Sequence, residues 1–225
     1  MSIISIEGNI GSGKSTFVGK LKEYYKDNRK VVFLDEPVDD WLKIRDENND
    51  TILTNFYRDT DKYAFSFQML AYITRLNILK KAQRDNPGCI LISERSVYTD
   101  CNVFEKMLYD DKKLNMLEHK IYHEWFSSFL DGYKLGHIFY VRTEPDKCHE
   151  RVLKRKREGE DIKLEYLENC HNYHEKWVNE LENKTVLDGN MDREEGDEYE
   201  DWKSKIDEYI LSLEEEIKYN VYVGC

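Results

Sequence analysis

A glycine-rich segment near the N-terminus has the residue types and spacing of a phosphate-binding loop. Residues 8–15 match the pattern G-x-x-x-x-G-K-[ST] without a mismatch. Such glycines let backbone N–H groups turn toward a phosphate, while the lysine adds charge at the outer phosphates and the next hydroxyl can bind Mg²⁺. An apolar run at residues 3–6 precedes the loop, and a helix-like segment begins at Thr16. This strand-loop-helix context predicts a nucleoside triphosphate site made of Gly8, Asn9, Ile10, Gly11, Ser12, Gly13, Lys14, Ser15 and Thr16.

Two carboxylates follow predicted strands. Residues 31–34 are apolar and lead to Glu36, which the following Pro37 holds extended at a strand end. Ligands bind at the carboxyl ends of strands in open α/β sheets, although a surface carboxylate at a turn is an equal alternative from this position alone. Residues 89–93 form a second apolar run and lead to Glu94. An acidic residue there usually completes the Mg²⁺ site of a P-loop protein, which pairs Glu94 with Ser15.

A long helix is predicted over residues 59–84, which contain neither glycine nor proline. Its apolar positions recur at three- and four-residue steps and predict one buried face: Phe65, Met69, Tyr72, Leu76 and Leu79. Gln68, Ala71 and Arg75 share a different face. They form either a solvated stripe or a surface that reads the polar edge of a ligand.

The one concentrated basic stretch of this acidic chain lies at residues 151–157. Arg151 and Arg155 share a helical face and Arg157 follows, and guanidinium groups suit phosphoryl oxygens. A nuclear-targeting or nucleic-acid-binding patch is the competing interpretation. The polar residues 158–161 follow as a hinge-like loop. Residues 151–157 are therefore predicted to contact phosphate.

The composition limits the remaining possibilities. A net charge of −11 over 225 residues argues against a general nucleic-acid or membrane-surface binder. No apolar stretch approaches the length of a membrane span. The five cysteines are scattered and predict reduced thiols in a cytosol-like compartment. The phosphate-binding loop begins at residue 8 as numbered, which leaves no room for a targeting peptide, so a cytoplasmic location is expected.

The remaining segments continue an alternation of strands and helices. Helices are predicted at residues 114–130, 163–183 and 192–216, and strands at 137–141 and 185–187. The helix at 163–183 carries Cys170, His171 and His174, which are interpreted as a helix surface rather than a metal site. The alternation predicts an α/β protein with a parallel sheet and helices on both faces, in a single domain covering residues 1–225.

Several of these motifs, taken in register, resemble the deoxyribonucleoside kinase family, which contains deoxycytidine, deoxyguanosine and insect-type deoxynucleoside kinases. The resemblance runs from Ile3 to about Tyr209. Its first part comprises G-N-I-G-S-G-K-S-T at residues 8–16, Glu36-Pro37-Val38 with Trp41, Tyr57, Phe67-Gln68 and Glu94-Arg95-Ser96. Its second part comprises Arg151-x3-Arg155-x-Arg157, Leu164-Glu165-Tyr166-Leu167 and His174-Glu175-x-Trp177.

The resemblance implies a P-loop kinase fold with a five-stranded parallel sheet, an arginine-bearing lid at about residues 151–162 and a homodimer. It implies phosphoryl transfer from ATP to the 5′-hydroxyl of a deoxyribonucleoside, without nucleic-acid or membrane partners. Glu36 would act as general base near the 5′-hydroxyl, and Arg95 would hold that region. Ser15 and Glu94 would surround Mg²⁺. The further assignments are Lys14, Arg151, Arg155 and Arg157 at the phosphates, Tyr57 and Glu160 at the 3′-hydroxyl, Phe67 and Gln68 at the base, and Asp192 and Arg193 at the donor base.

Some assignments stay open at this point. Glu158 competes with Glu160 because the lid is one residue shorter than the family pattern, and Glu94 competes with Glu36 as the base. Arg193 stands where the family pattern has an aromatic residue, which leaves the donor-base preference open. A thymidylate-kinase-like nucleoside monophosphate kinase is the nearest rival enzyme. A guanine-specific switch is disfavoured, because the nearest N-K-x-D motif, at residues 183–186, ends in valine.

The base preference follows from two charged residues near the predicted pocket. A buried Arg75 must be paired, and Asp100 is its expected partner. The family's thymidine-accepting members differ here, with an apolar residue in place of Arg75 and a small one in place of Asp100. Asp100 offers only acceptor atoms, which suit the exocyclic amino group of cytosine or adenine, and Arg75 can donate to guanine. We therefore expect deoxycytidine and purine deoxynucleosides to be preferred over thymidine.

Overall fold

The computed structural model describes residues 2–130, 132–191 and 199–223, with side chains up to residue 215. Its strands are β1 (Ile3–Glu7), β2 (Val31–Leu34), β3 (Ile90–Glu94), β4 (Leu135–Arg142) and β5 (Lys184–Asp188). Its first helices are α1 (Lys14–Tyr24), α2 (Val38–Lys43), α3 (Ile52–Arg58), α4 (Thr60–Asp85) and α5 (Val97–Thr99). A π-helical turn (Asp100–Glu105) follows, and then α6 (Lys106–Asp110), α7 (Met116–Phe129), α8 (Pro145–Arg155), α9 (Leu164–Asn179) and α10 (Glu200–Val223).

The strands form one five-stranded sheet in the order β2-β3-β1-β4-β5, and every pair is parallel. The central strand β1 pairs with β3 on one side and β4 on the other, so Ile4 lies opposite Ile92 and His137. The predicted parallel α/β sheet is confirmed. All carboxyl ends therefore meet at one edge, where the predicted site residues follow β1, β2 and β3.

Helices cover both faces of the sheet, because side chains alternate between the two faces along each strand. On one face, α1 and α10 pack against strand residues in a core that includes Ile4, Ile6, Phe139, Val141, Phe17, Leu21, Trp202 and Ile206. On the other face, α4 contributes Leu79 and Ala82 to a core with Leu34 and Leu91. There α9 also packs on β4, in a core that includes Ile138, Tyr140, Trp177 and Val178.

Several helix boundaries differ from the sequence prediction. Helix α1 begins at Lys14 instead of Thr16, so Lys14 and Ser15 lie in its first turn. Helix α8 ends at Arg155 because the next residue, Lys156, turns into the left-handed region with φ +50°. Helix α10 begins at Glu200, and residues 192–198 of the predicted helix lie outside the described residues. The short helices α2 and α3 were not predicted, since such brief segments have too few turns to show a period. A helix beginning at Asp100 was expected, but its π-helical form was not.

Helix α4 buries a broader face than its apolar spacing predicted. Phe65 and Met69 are only partly buried, whereas Gln68, Ala71 and Arg75 are buried. The solvated-stripe interpretation of these three residues is therefore wrong. This face turns toward the carboxyl edge of the sheet and not toward solvent.

The expectation that Cys170, His171 and His174 form a helix surface is also wrong, because all three are buried. His174 lies between the rings of Phe104 and Tyr140, and its Nδ1–H donates to the carbonyl of Cys170 at 2.7 Å. Burial lowers the pKa of His174 to about 3, so the ring is neutral at physiological pH. His174 thus belongs to the packing of α9 against β4 and the π-helical turn, whereas Cys170 contacts Met107 on α6.

Across the described residues, no helix combines the length and apolar character that crossing a membrane requires.

Candidate active site

A cavity of about 560 Å³ opens at the carboxyl edge of the sheet, above β1, β2 and β3. Its volume suits a small organic ligand. The phosphate-binding loop, the ends of β2 and β3, helix α4 and the lid enclose it. The predicted residues that line it are Ile10, Gly11, Ser12, Gly13, Lys14, Ser15, Thr16, Glu36, Trp41, Tyr57, Phe67, Gln68, Ala71, Arg75, Glu94, Arg95, Asp100, Arg151, Arg155, Arg157 and Glu160.

The phosphate-binding loop needs glycine at its turning points. Gly11 has φ +79°, and a Cβ there would lie 2.4 Å from the carbonyl oxygen of Cys148 on α8. Gly13, with φ +99°, is the residue before α1, so the loop leads directly into a helix N-terminus. Free backbone N–H groups at such an end attract phosphate.

Lys14 lies buried at the start of α1, and its Nζ donates to the carbonyl oxygen of Asn9 at 2.7 Å. Burial, with a smaller contribution from the charge of Arg95, lowers the pKa of Lys14 to about 7. Asn9 itself faces away from the cavity, because its Nδ2 donates to the carbonyl of Leu167 at 2.8 Å. Gly8 and Asn9 were also predicted to bind phosphate, but neither residue lines the cavity. They shape the loop instead.

Ser15 and Glu94 meet beneath the phosphate-binding loop, where the Ser15 hydroxyl donates to Glu94 Oε1 at 2.5 Å. Both groups line the cavity. A hydroxyl and a carboxylate are hard oxygen donors of the kind that Mg²⁺ uses alongside substrate phosphates and water. The donor set therefore fits Mg²⁺.

Glu36 lies beside two arginines at the end of β2. Arg95 Nη1 donates to Glu36 Oε1 at 2.5 Å, and Arg75 Nη2 donates to the same oxygen at 3.1 Å. Burial alone would raise the pKa of Glu36, but the charges of Arg95 and Arg75 outweigh it and hold this pKa well below its ordinary value. Glu36 is therefore an ionised carboxylate at physiological pH.

The expected pair between Arg75 and Asp100 is confirmed. Arg75 Nε donates to Asp100 Oδ2 at 2.9 Å, and both side chains are almost fully buried. Arg75 also donates to the carbonyl oxygen of Glu94 at 3.0 Å. The guanidinium thus joins Asp100, Glu36 and the end of β3, which the sequence alone did not indicate.

The backbone at Arg95 is strained. Arg95 has φ +59°, a left-handed conformation that is uncommon outside glycine and often marks a functional site. Its N–H donates to the carbonyl of Ile6 at 3.0 Å, which fixes the turn against β1. The guanidinium lies 5.4 Å from the ring of Phe104 on the π-helical turn, a pocket residue that sequence reasoning missed.

Aromatic rings and one amide form the wall opposite the phosphate-binding loop. Trp41 and Phe67 meet edge to face at 5.3 Å, and Trp41 Nε1 donates to Thr74. The Gln68 side chain is buried, and its Oε1 has no hydrogen-bond partner among the described residues. An unpartnered buried amide oxygen that lines a cavity is a group prepared for a ligand donor.

The three predicted lid arginines occupy two different places. Arg151 Nη1 donates to the carbonyls of Ser12 at 3.2 Å and Gly189 at 2.9 Å, so this residue lies against the phosphate-binding loop. Arg155 and Arg157 instead pair with Glu160, at 2.5 and 3.0 Å.

The two candidate lid glutamates face different surroundings. Glu160 lines the cavity, and its side chain is only 6% exposed. Glu158 pairs with Arg45 at 3.1 Å and is 59% exposed. The left-handed Gly159 between them packs against α3, where a Cβ would lie 2.8 Å from Thr54 Oγ1.

Two predicted residues are not described by the structure, and several residues that line the cavity were not predicted. Asp192 and Arg193 lie outside the described residues. The neighbouring Met191, the packed Trp202 and Lys154 also line the cavity, and the sequence prediction assigned none of them to the site. Met191 could have been found from its position immediately before the expected donor-base loop.

Three features together define a P-loop kinase fold. A phosphate-binding loop lies between a parallel strand and a helix, an acidic residue ends the adjacent strand, and an arginine-bearing segment lies above the cavity. The chain belongs to the deoxynucleoside kinase family, whose family model, described as "Deoxynucleoside kinase", matches residues 4–211. It is therefore a deoxynucleoside kinase and uses a nucleotide as phosphate donor.

Named relatives agree with this assignment. A fowlpox virus (strain NVSL) protein named "Probable deoxycytidine kinase FPV151" is 37% identical over 181 residues, covering 79% of this chain and 72% of the relative. Deoxycytidine kinase of Mus musculus is 31% identical over 240 residues, covering 93% and 91%. The mitochondrial deoxyguanosine kinase of Xenopus laevis is 31% identical over 194 residues, covering 78% and 72%.

Proposed function

We propose that this enzyme transfers the γ-phosphate of ATP to the 5′-hydroxyl of a deoxyribonucleoside in nucleotide salvage, favouring deoxycytidine and purine deoxynucleosides over thymidine. The observation that carries the proposal is the charged floor of the cavity. There an ionised Glu36 lies near the phosphate-binding loop, and the buried Arg75–Asp100 pair lies on the side of the base-reading wall.

At the acceptor end, Glu36 is the proposed general base. A 5′-hydroxyl is neutral, so a carboxylate can lie beside it and accept its proton. The low pKa of Glu36 makes it a weak base toward a ground-state alcohol. In a loose phosphoryl-transfer transition state the hydroxyl proton becomes acidic only as the new P–O bond forms, so a weak base suffices. Glu94 serves better beside Ser15 than as the base.

At the donor end, the phosphate-binding loop and Lys14 bind the phosphates, while Arg151 lies ready beside Ser12. Ser15 and Glu94 would hold Mg²⁺, which supplies charge neutralisation on the phosphates when bound. These residues hold the donor in position and offset its negative charge, which is most of what phosphoryl transfer asks of a protein. The same loop accommodates any nucleoside triphosphate, and Asp192 and Arg193 are the proposed contacts to its base.

At the base, Gln68 and the Arg75–Asp100 pair act differently. The amide of Gln68 can turn to match either cytosine or thymine, so it binds without selecting. Asp100 offers only acceptors, which match the amino groups of cytosine and adenine and oppose the thymine carbonyl. The proposed discrimination against thymidine therefore rests on Asp100 and on the space that Arg75 occupies, with Phe67 and Trp41 packing against the base.

At the sugar, Glu160 and Tyr57 are the proposed partners of the 3′-hydroxyl. Burial, aided by the charge of Glu160, raises the pKa of Tyr57, so its hydroxyl stays protonated and can donate. In the structure, Glu160 pairs with Arg155 and Arg157. A 3′-hydroxyl that donates to Glu160 would compete with these pairs and free both arginines for the transferring phosphate. Nucleoside binding would in this way prepare the lid.

A homodimer and a cytoplasmic location are further parts of the proposal. Helix α7 exposes the apolar side chains Leu117, Ile121, Trp125 and Phe129 at four-residue spacing, which gives one apolar stripe. A second copy of this chain would cover it, and a wild type that sediments as a monomer at micromolar concentration would contradict this. The four described cysteines are free thiols, in keeping with a reducing compartment.

The rival activity, phosphorylation of a nucleoside monophosphate, would place a second phosphate against Glu36. The test offers radiolabelled ATP to the enzyme with each deoxynucleoside, each ribonucleoside and the matching monophosphates. The proposal requires label on unphosphorylated deoxynucleosides and little on monophosphates. Label mainly on monophosphates would reverse the assignment of Glu36.

A further inference from the structure

A cluster of three potential metal ligands lies outside the active site, between the π-helical turn and α7. Glu105 ends the π-helical turn and its side chain is fully buried. His119 and His123 lie one turn apart on α7, with side chains 25% and 42% exposed. One ligand atom from each of the three residues lies within 4.8 Å of the others.

The spacing of these atoms suits a transition-metal ion. His119 Nδ1 lies 2.7 Å from Glu105 Oε1, and His123 Nε2 lies 3.3 Å from Glu105 Oε2. Two ligands bound at zinc distances with a tetrahedral angle are about 3.4 Å apart. The His123 separation lies within about 0.1 Å of this value, and the His119 separation, which is to the other carboxylate oxygen, is about 0.7 Å shorter. Histidines four residues apart on a helix point to the same side, as zinc-binding helices require.

The charge at Glu105 gives a reason for an ion to bind there. Glu105 contacts His119 and His123, and no lysine or arginine pairs with it among the described residues. In contrast, Glu36 and the buried Asp100 each pair with arginine. The fully buried Glu7 accepts hydrogen bonds from the hydroxyls of Ser5, Ser96 and Thr99. A buried carboxylate without a permanent cation is costly, and a divalent ion would supply the missing charge.

The surroundings would hold both imidazoles in a ligating orientation. The His119 ring stacks on Tyr109, with centroids 3.9 Å apart and planes 14° apart. The second nitrogen of His123, Nδ1, faces Cys101 Sγ at 4.0 Å. These contacts limit the rotation of both rings. The partial exposure of His123 leaves an entry path and room for water in a fourth position.

We propose that Glu105, His119 and His123 form a site for one divalent transition-metal ion, and that this ion cross-links α7 to the π-helical turn. Two imidazoles and one carboxylate suit zinc and disfavour Mg²⁺ or Ca²⁺, which prefer oxygen ligands. The π-helical turn begins at Asp100, so the same ion would also stiffen the wall of the cavity that carries the Arg75–Asp100 pair. The site is separate from the proposed Mg²⁺ position and does not depend on the proposed reaction.

The test is titration of chelator-treated full-length protein with zinc chloride by isothermal calorimetry, with the thermal midpoint followed in parallel. Wild type should bind one zinc per chain and unfold at a higher temperature with zinc than without it. His123→Ala should weaken binding by about a hundredfold or more and lose the thermal shift. His149→Ala, which removes a histidine from α8, is the matched control and should retain both.

Co²⁺ gives a readout of the ligands themselves. Wild type and His149→Ala should develop the visible absorption of a four-coordinate cobalt site, and His123→Ala and Glu105→Gln should not. If Glu105→Gln does not fold, His123→Ala decides alone, because its side chain is half exposed. Equal zinc affinity in wild type and His123→Ala would overturn the proposal and leave the cluster as hydrogen-bonded histidines on a buried carboxylate.

Discussion

Binding of ATP should draw a proton onto Lys14. The free enzyme buries this lysine and lowers its pKa to about 7, so at pH 8.0 only about one molecule in eleven carries the proton. The phosphates of ATP bring several negative charges to the same place and should restore a pKa well above 8. Binding at pH 8.0 should then take up about 0.9 proton per site.

Calorimetry measures this uptake directly. ATP is titrated into the enzyme without nucleoside, in two buffers that differ in ionisation enthalpy, and the slope of the observed heat against that enthalpy counts the protons. At pH 8.0 the phosphates of ATP are already ionised, so their own titration contributes little. At pH 6.0 the lysine is already charged and the uptake attributable to Lys14 should fall to about 0.1.

Lys14→Arg is the matched variant, because a guanidinium stays charged at every accessible pH. It should bind ATP at pH 8.0 with a slope near zero, even if its turnover is poor. A wild-type slope near zero at pH 8.0 would show that Lys14 is already charged in the free enzyme. An unchanged slope in Lys14→Arg would show that a group other than Lys14 takes up the proton.

Three further predictions concern the acceptor end. Glu36→Gln should lower kcat by about a hundredfold or more while ATP affinity stays near wild type, and near-normal turnover at every pH would remove Glu36 as the base. Glu160→Gln should narrow the preference for deoxycytidine over 2′,3′-dideoxycytidine by about tenfold in kcat/KM, because the 3′-hydroxyl would then donate to a neutral amide oxygen instead of a carboxylate. Glu158→Gln should keep that preference. The double variant Arg75→Met with Asp100→Ala should shift the kcat/KM preference toward thymidine. It should also lower kcat for every substrate, because Arg75 binds Glu36. An unchanged order of substrates would refute the account of base selection.

The sequence predicted those features of the molecule that depend on residues close together in the chain. The phosphate-binding loop could be predicted because its glycines and lysine act through adjacent backbone groups. The strands could be predicted because each is a short apolar run with a clear boundary. The Arg75–Asp100 pair could be predicted from a general requirement, since a buried guanidinium needs an anion. The confirmed contact at 2.9 Å follows from that requirement and not from any motif.

Other features depend on neighbours that are distant in sequence. Polar residues spaced like Gln68 and Arg75 occur both on helices that face solvent and on helices that face a cavity. Only the tertiary structure shows which of these two environments they have. His174 was misread for this reason, because a histidine on an amphipathic helix does not reveal that Phe104 and Tyr140 enclose it. The pairing of Glu160 with two arginines could not be read either, because a left-handed turn at Lys156 brings the lid back on itself.

The most direct test of the account is a competition in which wild-type enzyme receives equal concentrations of deoxycytidine and thymidine with limiting ATP. The ratio of the two monophosphate products equals the ratio of kcat/KM values. A site whose buried polar groups oppose a substrate edge can discriminate by several powers of ten, so deoxycytidine monophosphate should dominate by at least about a hundredfold. Equal yields of the two monophosphates would contradict the role assigned to Arg75 and Asp100.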